Sequence, residues 1–184
     1  GDLIMAGLTD EGISTDFIDR QVSAKSAFSS IYLDLRGDRQ IMNFRGSGLA
    51  QSADWLDDVP LVDAILADTR WQPGTAKAVD LARRRDIACV IDAEAPVDLA
   101  TIAGASHVAF SRQGLVELTG DNDIAASLAA VSRQLNGWVC VTDGPAGVYF
   151  MDRARVEHIP AIEVDAIDTL GAGDIWHGAF ALRL

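Results

Sequence analysis

Apolar and polar positions alternate in two short runs early in the chain. In 28–35, Ile31, Leu33 and Leu35 alternate with Tyr32 and Asp34, and a second run covers 40–44. The polar turn Arg36-Gly37-Asp38-Arg39 separates them, a pattern that predicts an antiparallel hairpin. Ahead of it, 3–8 carries a short apolar helix pattern that ends at Asp10-Glu11-Gly12. Behind it, Gly46-Ser47-Gly48 marks a loop.

From Leu61 the rhythm changes. A continuous apolar run at 61–67 predicts a buried strand. A helix is predicted over 75–85, with Ala78, Leu81 and Ala82 on one face. Another buried strand follows at 87–91, a short helix at 97–103 and a strand at 107–110. A helical turn at 115–119 is stopped by Gly120. Ile124, Leu128, Val131 and Leu135 fall on one face of a helix over 123–135. Strands are predicted at 138–142, 148–151 and 162–164, and a last helix starts near Gly171.

Strands alternating with helices predict βαβ units, and so an α/β domain whose parallel sheet is covered on both faces. That main sheet spans 61–184. The hairpin, within 27–46, breaks the rhythm and is expected in a small antiparallel flap outside it. Ligands of such sheets bind beyond the carboxyl ends of the strands.

Charge narrows the choice of partner. The formal net charge is -12, which argues against nucleic acid, since phosphate binding needs a basic footprint. Arg83-Arg84-Arg85 is expected to be a solvated helix terminus, where cations complement the dipole. Cys89 and Cys140 sit inside apolar runs and are expected to be buried, reduced thiols. There is no zinc pattern, no apolar stretch of membrane-spanning length and no leader pattern. A reducing cytoplasm is the expected home. The chain starts without Met and stops inside an apolar pattern, which reads as a piece of a longer protein.

The segment Asp168-Thr169-Leu170-Gly171-Ala172-Gly173-Asp174-Ile175-Trp176-His177-Gly178-Ala179 carries the strongest chemistry. It follows a strand and opens a helix. Glycines at a helix N-terminus expose successive N–H groups, which favour an anion. Asp174 falls in the first turn, and a carboxylate beside a phosphate cradle suits a base for an attacking hydroxyl. There is no Gly-x-x-x-x-Gly-Lys-Ser/Thr loop, and Trp176 breaks a dinucleotide fingerprint. On spacing alone, a plain strand-to-helix turn capped by Asp174 stays open.

The stretch 168–178 resembles the C-terminal signature of the ribokinase/PfkB family of carbohydrate kinases, Asp-Thr-x-Gly-Ala-Gly-Asp-x-aromatic-x-x-Gly. The resemblance implies a ribokinase-like three-layer α/β/α fold with a β lid, of which 1–184 is a partial domain. It implies ATP and Mg²⁺ as cofactors, Asp174 as catalytic base, and an anion hole from the amides of Gly171, Ala172 and Gly173. The segment 141–148 is similar to the family's Thr-x-Gly-x-x-Gly turn, which implies nucleotide contacts at Thr142, Gly144 and Gly147. One departure stands out. Leu118-Thr119-Gly120 is present, but Ser111 and Gly114 occupy the positions of the family's Asn-x-x-Glu, which orders Mg²⁺ and phosphate. The metal ligands are therefore open, with Asp92 or Glu94 as candidates to compensate. In that family the flap strands often pair between subunits, which implies a homodimer.

Asn43 ends the second hairpin strand, Lys25-Ser26 precede the first, and Arg70 follows a strand at its carboxyl end. Arg suits a phosphate or sulfonate oxyanion; a surface ion pair stays open. Ala-Asp-Thr-Arg-Trp, Ala-Phe-Ser-Arg-Gln-Gly-Leu-Val-Glu-Leu-Thr-Gly and Ile-Met-Asn-Phe resemble segments of bacterial sulfofructose kinases. That resemblance implies 6-deoxy-6-sulfofructose as substrate, with Asn43 and Arg70 on the sulfonate. Fructose 6-phosphate, ribose or a nucleoside are the alternatives among kinases. A non-catalytic binding module and a nucleotide-dependent oxidoreductase are the other classes.

Overall fold

The computed structural model describes residues 1–33, 39–166 and 168–184. They form two compact units, Gly1–Ser52 and Ala53–Leu184.

The first unit contains α1 (Asp2–Asp10) and an antiparallel pair, β1 (Phe28–Leu33) and β2 (Arg39–Phe44). The predicted hairpin is therefore present. Its turn, with Asp34 and Leu35, lies outside the described residues. Register puts Phe28 opposite Phe44, with ring centroids 5.3 Å apart, and Ser29 opposite Asn43. Lys25 bridges to Ser47 and extends the ribbon.

The second unit is built on six strands in sequence order: β3 (Ala64–Asp68), β4 (Ala88–Ala93), β5 (His107–Ser111), β6 (Trp138–Thr142), β7 (Val148–Asp152) and β8 (Arg155–Ile159). The first four run parallel; β7 adds antiparallel to β6, and β8 antiparallel to β7. Parallel neighbours need crossovers, and these are α2 (Gln72–Arg85), α3 (Leu99–Ile102), and α4 (Arg112–Thr119) with α5 (Ile124–Ser132). The last helix is α6 (Ala172–Leu182).

Side chains alternate across each strand. Cys89, Ile91, Ala93, Val108, Phe110, Val139 and Val141 point to one face, where they pack with Val79, Ile102, Leu115, Leu128 and Val131 of α2 to α5. The intervening positions point to the other face, where α6 lies on β3 and β4. Phe180 of α6 stacks on Trp138 at 5.3 Å, and Trp176 stacks on Phe180 at 5.2 Å. The strands of β4 to β6 are thus sandwiched, and their central residues are solvent-free. Cys89 and Cys140 are free and buried, and burial pushes their thiols up to about 11 and 12.

Three boundaries differ from the sequence expectation. The run at 61–67 begins its strand only at Ala64; Leu61 is 86% exposed. The expected strand at 162–164 is absent, and Ile162 and Val164 are exposed. The strand that does pair is β8, whose sequence Arg-Val-Glu-His-Ile reads as polar because it is a sheet edge with most side chains in solvent. The sheet consequently carries an antiparallel edge that the strand–helix rhythm did not announce. The arginine run is also more engaged than expected. Arg84 bonds Asp80 and Asp57, and Arg85 donates to the carbonyls of Val59 and Pro60.

Candidate active site

The carboxyl ends of the four parallel strands carry the polar residues. Register aligns Asp68 of β3 with Asp92 of β4, and Ser111 of β5 with Thr142 of β6. Hydrophobic strands that finish in acids place charge where the sheet opens to ligand.

Asp174 sits in the first turn of α6, exposed to solvent. With Asp68, Asp92, Leu66, Ala67 and His177 it lines a pocket of about 230 Å³. Gly171, the N-cap, has φ 74°, and a Cβ there would lie 3.7 Å from the Asp174 carboxylate. The carboxylate therefore hangs over the loop that precedes its own helix. Amides in a first helical turn have no intrahelical acceptor. Of the three residues expected to form an anion hole, Ala172 already donates its N–H to Thr169, at 3.2 Å. A Cβ on Gly173 would meet nothing within 4 Å, so the surface beside it is open.

Asp92 and His177 were not expected together. His177 is buried, its Nδ1 lies 2.7 Å from the Gly173 carbonyl and 3.5 Å from Asp92 Oδ2. Burial pushes the Asp92 carboxyl up to about 6; a charged His177 pulls it down, while Glu94, Asp174 and Asp68 push it further up. One signal in the sequence could have found His177: it stands three residues after Asp174, on the same helix face.

Arg70 follows β3, as expected from its position. Its N–H donates to Asp68 Oδ1 at 2.7 Å, and its guanidinium forms a short ion pair with Glu94. Thr69 Oγ1 donates to the Glu94 carbonyl and Thr75 Oγ1 to the Asp68 carbonyl, both at 2.6 Å, which fixes this loop on the ends of β3 and β4. Asn43 belongs to the first unit; its Oδ1 accepts from Ser29 Oγ at 2.5 Å.

Thr142 ends β6, and its Oγ1 reaches the Phe110 carbonyl at 3.5 Å. A 3-10 turn, Gly144–Ala146, leads to Gly147, which has φ 98°. A Cβ on Gly147 would lie 2.1 Å from the Ile159 carbonyl, so only glycine fits this crossing of the turn with β8. Arg112 at the start of α4 holds Asp143 at 2.5 Å. The turn is a fixed feature at the same end of the sheet as Ser111.

Ser111 caps α4, accepting from the Gly114 N–H at 3.0 Å. The Asn-x-x-Glu position is thus used for packing. Among the described residues no three His, Cys, Asp or Glu side chains converge as a metal cage. Glu94 pairs with Arg70, and Asp92 lies beside His177 with its Oδ1 unpartnered among the described residues. Mg²⁺ is an ion that phosphate sites often hold through one or two carboxylates together with substrate oxygens and water.

The family profile for pfkB family carbohydrate kinases matches residues 1–184. A deoxyribokinase from Salmonella typhi is 25% identical over 194 residues, covering 98% of this chain and 63% of its own length. A solved protein from Agrobacterium tumefaciens, described provisionally as a ribokinase, is 31% identical with a TM-score of 0.87, over all of this chain and 62% of that one. A ribokinase from Cryptococcus neoformans, solved in complex with ADP, shares the fold with a TM-score of 0.79 at 16% identity, over 98% of this chain and 65% of its own. The chain spans slightly under two thirds of the length of these proteins. No helix among the described residues is long and apolar enough to cross a membrane.

Proposed function

Because this chain belongs to the pfkB family of carbohydrate kinases, we propose that it is part of an ATP-dependent sugar kinase in which Asp174 is the catalytic base. The carrying observation is the Asp174 carboxylate on the first turn of α6, in the wall of a polar pocket beyond the strand ends. A base there takes the proton from a primary hydroxyl as that oxygen attacks the terminal phosphorus of ATP. The first-turn amides at Gly173 and Asp174 face developing charge on the transferred group, with Gly171 supplying the bend that exposes them. Thr142, Gly144 and Gly147 form the turn that holds the nucleotide. ATP brings Mg²⁺ with its phosphates. The names of relatives, deoxyribokinase and ribokinase, favour a sugar as acceptor.

The finer substrate in this proposal is 6-deoxy-6-sulfofructose. Arg70 at the end of β3 is the contact proposed for the sulfonate, and Asn43 on β2 is proposed, by itself, as a substrate-binding residue. The enzyme works as a homodimer in the cytoplasm, where its buried free thiols stay reduced. A second reading, an uncharged pentose or hexose, is favoured by one observation: Arg70 is already neutralised by Glu94.

The test is ADP release by the full-length protein with Mg-ATP and sulfofructose, fructose 6-phosphate, ribose or adenosine. Turnover confined to sulfofructose supports the whole proposal. Turnover of ribose alone keeps the kinase and discards the sulfonate. No turnover on any acceptor overturns the kinase assignment.

A further inference from the structure

Two buried polar atoms in the wall of the Asp174 pocket have no partner among the described residues: Asp92 Oδ1 and His177 Nε2. They come from different elements, β4 and α6, and His177 is only 4% exposed. Buried polar groups are normally paired, and exceptions mark sites that work.

The Nδ1 contact settles one proton. A carbonyl oxygen can only accept, so Nδ1 at 2.7 Å from the Gly173 oxygen carries a hydrogen. The charge of the imidazole is then decided at Nε2 alone. The Gly173 carbonyl shares one planar peptide unit with the Asp174 N–H. Holding that carbonyl down the helix aims the Asp174 amide the opposite way, toward the mouth of the loop.

We propose that Asp92 and His177 form a buried polar pair behind Asp174, in which His177 is a positioning residue whose Nδ1–H pins the Gly173 carbonyl and Asp92, beside the same nitrogen, holds the ring in that tautomer. Its meaning for catalysis rests on the kinase reading; the pair itself does not. The charged groups facing Asp92 are all acids apart from His177: Asp68 on β3, Glu94 beyond β4 and Asp174 on α6. Glu94 is answered by Arg70. His177 is thus the group beside Asp92 that is not an acid, and its Nδ1 stands 3.5 Å from Asp92 Oδ2.

The test is ¹⁵N-histidine NMR of the full-length protein, which reports which ring nitrogen carries the hydrogen. The His177 resonances are identified by their loss in His177→Leu. The expected result is a hydrogen on Nδ1 in the native protein, and an Nδ1 signal that moves in Asp92→Asn. A bare Nδ1 in the native protein overturns the proposal even if Asp92→Asn does not fold, and so does an Nδ1 signal unmoved in a folded Asp92→Asn. In turnover assays His177→Leu is expected to lower kcat about tenfold or more with KM for ATP nearly unchanged; a change in KM alone would overturn the positioning role. Absence of all turnover would sink the kinase reading and leave the tautomer and its response to Asp92→Asn to decide the pair.

Discussion

A Cβ on Gly114 would lie 2.5 Å from the carbonyl oxygen of Ala93. The end of β4 passes too close to the first turn of α4 for any side chain at this position. The acid that the family's Asn-x-x-Glu would place there is therefore excluded by packing. We predict that Gly114→Glu does not create a metal site. It should lower stability by about 1–3 kcal/mol through forced displacement of a packed backbone. Thermal unfolding with and without Mg²⁺ checks this: a variant as stable as the native chain, or one stabilised by Mg²⁺, contradicts it.

The Arg70–Glu94 pair predicts a substrate effect with little stability effect. Both side chains are partly exposed, so breaking the pair should cost no more than about 1 kcal/mol. Glu94→Gln frees the guanidinium, and KM for an anionic sugar should fall while that for ribose stays constant. Arg70→Ala should raise KM for the anionic sugar alone. Equal changes for both sugars would remove Arg70 from substrate recognition.

Asp174→Asn keeps shape and removes the proposed base. The expected loss in kcat is about 10²–10⁴-fold, the range for general base catalysis. Nucleotide affinity, measured by calorimetry, should change little. Near-native turnover would end the assignment of Asp174.

Burial of Asp92 makes stability depend on pH. Its ordinary value is 3.8 and the folded value is about 6, raised mainly by burial. Between these values the folded chain keeps a proton that the unfolded chain has released. Stability from this group is thus full below about 3.8, falls as pH rises, and is lost above about 6. Asp92→Asn removes the cost of the buried charge. Its advantage over the native protein should be absent near pH 4 and reach roughly 1–3 kcal/mol at neutral pH. Denaturant unfolding at both pH values measures it; an advantage that shrinks with rising pH would contradict the assignment.

Gly147→Ala should be among the most damaging small substitutions. The position combines φ 98° with a Cβ only 2.1 Å from the Ile159 carbonyl. Backbone strain of this kind costs about 1–3 kcal/mol, and relief would pull β8 from β7. Lower melting temperature together with weaker nucleotide binding is expected. Loss of stability with full nucleotide affinity would separate the turn from the nucleotide.

Much of the frame was legible in the chain. The apolar faces of α2 and α5 and the runs of β4, β5 and β6 follow from periodicity, because those elements bury one face or both. The helix start at Gly171 was equally clear, since glycine and acid at a helix N-terminus are local chemistry. Edge elements were not legible. β8 shows a polar sequence because an edge needs little burial, whereas 162–164 is apolar and still unpaired. A short run does not record whether a neighbour will be there to receive it.

What the sequence by itself determined is therefore the class of fold, the loop and acid at the head of α6, and two cysteines hidden from solvent. Tertiary structure alone decided that Asp68 and Asp92 stand side by side, that Glu94 answers Arg70, that Gly114 leaves no room for an acid, and that Asp92 meets His177. The reason is physical. Periodicity and capping act within a few residues along the chain. These meetings depend on the register of parallel strands and on which face α6 covers, and both are set by packing among residues far apart in sequence.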